Sequence, residues 1–174
     1  MAHSLPETFA PLLLRWYAAG HRDLPWRQDR EPYHVWLSEI MLQQTRVDTV
    51  IPYYERFLRR FPDVAALAAA PEQELLKMWE GLGYYSRVRN MQKAAQQICE
   101  KYNGIFPNEY EQLLSLPGIG AYTAGAVASI AWNKPYAAVD GNVLRVVTRL
   151  TADSREISDT KFKNEITAAL QEIY

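Results

Sequence analysis

Cysteine is almost absent from this sequence: Cys99 stands alone among 174 residues. One thiol closes no internal disulfide and builds no metal site by itself. Histidine is also scarce. His3, His21 and His34 share no ligand spacing and read as structural or surface residues. Neither a Ser/His triad nor a metal cluster suggests itself. Hydrophobic runs are short and interrupted, so no membrane span is expected. Met1-Ala2-His3-Ser4-Leu5-Pro6 lacks the basic region and apolar core of a signal peptide. An intracellular compartment is the default for such a chain. Charge of neither sign dominates: 19 Lys and Arg face 20 Asp and Glu, a net charge of −1. That argues against a globally basic nucleic-acid binder, but not against a local patch. Arg56, Arg59 and Arg60 form one basic grouping, and Arg87, Arg89 and Lys93 another. For each residue a solvated helix face weighs at least as much as a phosphate contact.

What is present is helical pattern and enough apolar residue, 48%, for a core. The length fits one large domain or two small ones. Phe9, Leu12, Leu13, Trp16 and Tyr17 recur at helical spacing in a segment from Glu7 to Ala19. His21 to Arg27 is a loop. Pro32 opens a helix to about Leu42 as a first-turn proline. Thr45 or Asp48 is expected to cap a helix through Arg60. Asp63 to Ala69 is a short helix, Pro71 starts one through Trp79, and Gly81-Leu82-Gly83 breaks it. Ser86 begins a helix through Tyr102, ended by Asn103-Gly104. Asn108 and Glu111 look like a capping pair. Lys161 to Tyr174 is amphipathic and runs to the last residue, the pattern expected of a piece of something longer. No alternation sustains a sheet, so the fold class is all-α.

Two strings carry chemistry. In Leu116-Pro117-Gly118-Ile119-Gly120-Ala121-Tyr122-Thr123-Ala124, Pro117 ends one helix and the two glycines permit a tight turn with positive φ. A bare turn feeding a helix N-terminus suits a phosphate, because unpaired N–H groups and the helix dipole both favour an anion. An ordinary helix connection is the plain alternative. In Val139-Asp140-Gly141-Asn142-Val143, a carboxylate stands just before a helix. Asp140 is either a helix cap or a group that stabilises a cationic sugar. Glu39 lies in the apolar run Val35 to Leu42. Burial there would raise its pKa and keep it protonated as a general acid. A glutamate reaching to solvent is the commoner fate. Gln43-Gln44-Thr45 follows, with amides able to enter a DNA stack. Tyr84-Tyr85 follows the Gly81-Leu82-Gly83 break. One of these tyrosines is expected to wedge between bases and the other to pack in the core.

Taken together, these strings resemble the MutY-type adenine DNA glycosylases of the endonuclease III, or helix-hairpin-helix-GPD, superfamily. The resemblance runs from about Trp16 to Thr151. It includes Leu24-Pro25-Trp26-Arg27, Trp36 to Thr45, Trp79 to Arg87, the hairpin and Val139 to Val143. It implies removal of adenine mispaired with 8-oxoguanine or guanine in double-stranded DNA by a monomeric, cytoplasmic, nucleoid-associated enzyme of base excision repair. Glu39 would protonate adenine N7 and assist water, and Asp140 would stabilise the oxocarbenium ion. Asn142 and Tyr122 would position these groups. Gln43, Gln44 and Tyr84 would fill or wedge the stack, while Gly118, Gly120 and Thr123 hold the backbone. Trp26 and Arg27 match the adenine pocket. Tyr122 occupies the position of the lysine with which the endonuclease III branch attacks the sugar. A phenol forms no Schiff base. This disfavours a bifunctional glycosylase and lyase, for which Lys134 is the nearest other amine. A non-catalytic helix-hairpin-helix DNA-binding module is the remaining alternative. The resemblance further implies a lobe over 24–135 built as a six-helix barrel, with the hairpin motif at about 109–130. A partial second lobe would comprise 1–23 and 136–174. The family's four-iron–four-sulfur cluster belongs to the full-length protein, and this chain, with no matching cysteine, is expected to bind none.

Overall fold

The computed structural model describes residues 8–173. Glu7, His3 and Tyr174 lie outside the described residues. Among the described residues there are ten α-helices, one 3-10 turn and no strand. The all-α expectation therefore holds. The helices are α1 (Phe9–Gly20), α2 (Pro32–Leu42), α3 (Val47–Arg60), α4 (Val64–Ala68), α5 (Glu72–Trp79), α6 (Ser86–Tyr102), α7 (Tyr110–Leu114), α8 (Ala121–Trp132), α9 (Gly141–Thr151) and α10 (Thr160–Gln171). The loop before α2 winds into a 3-10 turn at Pro25–Arg27.

Two capping expectations fail. The residue at the N-cap of α3 is Arg46, with no side-chain cap, rather than Thr45 or Asp48. The Thr45 hydroxyl instead bonds back to the Gln43 carbonyl at 3.3 Å. Asn108 does not cap α7 either; Glu109 occupies that N-cap, again without a side-chain bond. Where aspartate caps are seen they are well formed: the Asp63 carboxylate accepts from the Ala66 amide at 2.7 Å and starts α4.

The chain divides into two compact units, Leu24–Lys134 and Met1–Asp23 with Pro135–Tyr174. In the Leu24–Lys134 unit, α2 packs against α8 and α4 against α6. Helix α2 is buried on nearly every side, with Trp36, Leu37 and Met41 wholly enclosed. Its partner α8 is lined by Ala124, Gly125, Ala126 and Ala128, all buried. Such small side chains let two helix backbones approach closely. Each large apolar side chain enclosed here contributes about 1.5–3 kcal/mol. The other unit has a smaller core, in which Val139, Leu144, Val147, Phe162 and Leu170 cluster between α9 and α10. Helix α1 has no buried residue; Leu14 and Trp16 are among its exposed apolar side chains.

Candidate functional site

Glu39 sits in the last turns of α2 between buried Ser38 and buried Ile40, and is itself half-buried. The helix that carries it is thus fixed by packing on both flanks. Trp26 is buried in the same unit, edge-on to the Tyr54 ring at 5.4 Å between centroids. Neighbouring Arg27 is exposed.

Helix α2 ends at Leu42, Gln43 follows as its C-cap, and Gln44 adopts a left-handed backbone with φ of 58°. Gln43 is half-buried and Gln44 exposed. Across the unit, the loop between α5 and α6 turns on Gly81 and Gly83, with φ of 99° and 68°. A Cβ on Gly81 would lie 2.1 Å from the Tyr53 hydroxyl, which itself bonds to the Glu80 carbonyl at 2.7 Å. This turn sends Leu82 inward and leaves both tyrosines outside: Tyr84 is 64% and Tyr85 38% exposed. The expectation that one of the pair packs in the core is therefore wrong. Leu82 takes that place because the two left-handed glycines reverse the chain around it.

Arg87 joins these two loops. Its Nη1 donates to the carbonyls of Ile40 at 2.8 Å and Gln43 at 2.7 Å. Its Nη2 donates to those of Leu82 at 2.9 Å and Gly83 at 3.2 Å. The guanidinium lies 5.3 Å from the centre of the Trp79 ring and 5.7 Å from that of Tyr84. Burial lowers its pKa. The reading of Arg87 as a solvated basic residue is thus overturned. Its neighbours in the basic groupings do behave as surface charges: Arg89 pairs with Glu72 at 2.8 Å and Arg60 with Glu74. Trp36, Gln43, Arg87, Asn90 and Gly118 line a cavity of about 130 Å³, where α2, α6 and the Gly-rich hairpin meet.

The hairpin joins α7 to α8. Gly118 has φ of 77°, and a Cβ there would stand 2.8 Å from Cβ of Asn90. Gly120 differs from expectation: its φ is −94°, so it needs no left-handed freedom, and a Cβ would meet nothing within 4 Å. It precedes α8 as an N-cap with no side-chain bond. The first-turn amides of a helix have no acceptor within the helix. Tyr122 is half-buried in that first turn, and Thr123 is buried at 3% exposure. Lys134 forms an ion pair with Glu109 at 2.8 Å, closing the α7–α8 hairpin at its far end.

In the other unit, Asp140 caps α9. Its Oδ1 accepts from the amides of Asn142 at 2.9 Å and Val143 at 2.8 Å. Its Oδ2 accepts from Nδ2 of Asn142 at 2.8 Å. The Asn142 side-chain oxygen Oδ1 accepts in turn from Arg145. The carboxylate is thus oriented by three donors. Capping and chemistry are compatible uses of the same group.

Among the described residues, no group of three or more His, Cys, Asp or Glu is placed to hold a metal. Cys99 is half-buried on α6, and burial raises its pKa. One thiol does not fit a four-thiolate iron–sulfur cluster, so no step here runs through one. No helix among the described residues is long and apolar enough to cross a membrane.

A helical protein with a Gly-rich hairpin between short helices, beside a buried helix bearing a carboxyl, is a helix-hairpin-helix protein by architecture. The family model described as HhH-GPD superfamily base excision DNA repair protein matches residues 37–172, and the chain belongs to that family. An adenine DNA glycosylase of Buchnera aphidicola subsp. Baizongia pistaciae is 49% identical over 142 residues, covering 81% of this chain and 40% of that protein. The adenine DNA glycosylase of Homo sapiens is 43% identical over 174 residues, covering 95% of this chain and 32% of that protein. The chain thus spans less than half the length of these relatives. The solved structure of a thermostable thymine-DNA glycosylase superposes with a TM-score of 0.82 at 26% identity, covering 96% of this chain and 77% of that one. Relatives that share this architecture thus act on different bases, so fold alone does not choose the base.

Proposed function

We propose that the chain is the catalytic portion of a monofunctional adenine DNA glycosylase that hydrolyses the N-glycosidic bond of adenine mispaired with 8-oxoguanine or guanine. The observation that carries this is the identity, above 40% in each case, with relatives named adenine DNA glycosylase. Tyr122 in the hairpin argues for hydrolysis without strand cleavage, because a phenol cannot form a Schiff base. The ion pair that Lys134 makes with Glu109 argues against that amine as a substitute.

In this reading the adenine leaves the stack, since its glycosidic bond is inaccessible in a duplex. Trp26 and Arg27 belong to the pocket that receives it. Glu39 donates its proton to adenine N7 as the bond from N9 to C1′ breaks and the electron pair moves to the base. Asp140 stabilises the oxocarbenium ion by its negative charge. Asn142 and Tyr122 position these groups. Water then attacks C1′, and the Glu39 carboxylate takes its proton. Gln43, Gln44 and Tyr84 occupy the stack. The hairpin at Gly118, Gly120 and Thr123 holds a backbone phosphate through main-chain N–H groups.

The residues at 24–135 make the six-helix barrel lobe with its hairpin motif at about 109–130, and 1–23 with 136–174 make part of the second lobe. The full-length protein carries the four-iron–four-sulfur cluster on cysteines outside this chain. It acts as a monomer on double-stranded DNA, in the cytoplasm at the nucleoid. The test is Glu39→Gln. Excision of adenine should fall by about 10²–10⁴-fold, the range for loss of a general acid, with mispair binding retained. Excision at the wild-type rate would remove Glu39 from the chemistry.

A further inference from the structure

Five non-glycine residues among those described have left-handed φ. Asn103, Asn133 and Ala152 terminate α6, α8 and α9, where that conformation is ordinary. Gln44 and Tyr84 are different. Gln44 follows a residue that has already left the helix with ψ of 112°. Tyr84, with φ of 46°, precedes a helix rather than ending one. A side chain in this region costs roughly 1–3 kcal/mol unless its surroundings hold it there. Burial of the two side chains does not supply that hold, because both residues are exposed.

Arg87 does supply it. The carbonyls just before Gln44 and just before Tyr84, those of Gln43 and Gly83, both accept from its guanidinium. The Arg87 main-chain amide donates to the Tyr84 carbonyl at 2.9 Å. Three further carbonyls, of Ile40, Met41 and Leu82, extend the grip into each flanking element. A planar fork with several fixed donors is suited to bridging carbonyls of two segments; a lysine ammonium is not.

We infer that Arg87 is a positioning residue that locks Gln44 and Tyr84 into one preformed two-loop wedge, so that both enter the DNA stack as a unit. This rests on the glycosylase reading for what the wedge does, but not for how it is held. The test compares the protein with its Arg87→Lys variant in two ways. In hydrogen exchange, amides of residues 43–46 and 82–85 should exchange at least about tenfold faster in the variant, while amides of Ala124 to Ala128 stay protected. Faster exchange in one loop alone, or everywhere, would overturn the inference. In the second readout, a duplex carries 2-aminopurine opposite guanine. Its fluorescence should rise on binding the wild-type protein, and that rise should be lost in the variant. A full rise in the variant would overturn the inference. No rise with the wild-type protein would count against the glycosylase reading, while the exchange data still decide the lock. If Arg87→Lys does not fold, a double-mutant cycle of Gln44→Ala and Tyr84→Ala on the same fluorescence signal replaces it. One unit predicts effects at least about twofold from multiplicative, and multiplicative effects would overturn the inference.

Discussion

The Asp140 carboxylate and the Asn142 side chain are joined by a hydrogen bond of 2.8 Å, while the same carboxylate caps α9 through the Asn142 and Val143 amides. Structure and charge can therefore be separated by substitution. Asparagine caps helices as well as aspartate does. Asp140→Asn should leave the melting temperature within about 2 °C, a fraction of a kcal/mol for a chain of this size. Excision should fall by at least about a hundredfold, the scale of one lost electrostatic stabiliser. Asp140→Ala should show the same loss of excision and also lose about 1 kcal/mol of stability. Thermal melting beside single-turnover rates distinguishes the two effects; equal activity in Asp140→Asn would make the residue a cap and nothing more.

The two hairpin glycines should respond unequally to alanine. Gly118 is left-handed and its new Cβ would press on Asn90 at 2.8 Å. Gly118→Ala should cost about 1–3 kcal/mol, or roughly 2–12 °C of melting temperature. Gly120 has ordinary φ and open space around it. Gly120→Ala should be nearly neutral in stability, so any loss of DNA affinity it shows reports on the approach of a backbone to the hairpin. Calorimetry and binding isotherms on both variants check this.

Much of this was legible in the sequence, for local reasons. Pro32, Pro71 and Asn103-Gly104 punctuate helices through constraints that act within a few residues, and those boundaries stand at α2, α5 and α6. The hairpin was equally local. What was not legible depended on distant partners. Arg87 looked like a surface charge because the carbonyls of α2 that it holds are 44 to 47 residues away. Thr45 and Asp48 looked like caps because their residue types favour that role, but the bend at Gln44 puts Arg46 at the start of α3 instead. One of Tyr84 and Tyr85 looked like core because the sequence does not show that Gly81 and Gly83 turn Leu82 inward.

Stability should fall in alkali through Tyr33 and Tyr54. Burial raises both phenols above their ordinary 10.0, and Tyr33 donates to the Phe61 carbonyl at 2.9 Å. Above about pH 10 the unfolded chain releases protons that the folded chain retains, so stability decreases as pH rises. It should be unaffected by these groups below that point. The slope above it should approach about 2.7 kcal/mol per pH unit for two protons. Tyr33→Phe should remove about half of that slope. Urea titrations from pH 8 to 11 measure it, and an unchanged slope in the variant would clear Tyr33 of the effect.

Tyr122 should leave no covalent trace. Borohydride added during reaction with mispaired DNA should trap no protein–DNA adduct, because reduction captures only an imine and a phenol forms none. A trapped band lost in Lys134→Gln would instead identify an amine nucleophile and a lyase.

The most direct measurement is single-turnover excision from a duplex carrying adenine opposite 8-oxoguanine, scored with and without alkali. Strand breaks at the adenine position seen only after alkali are the predicted result, since the base is removed and the backbone left whole. Breaks without alkali, or no excision by folded protein bound to that duplex, would contradict the assignment.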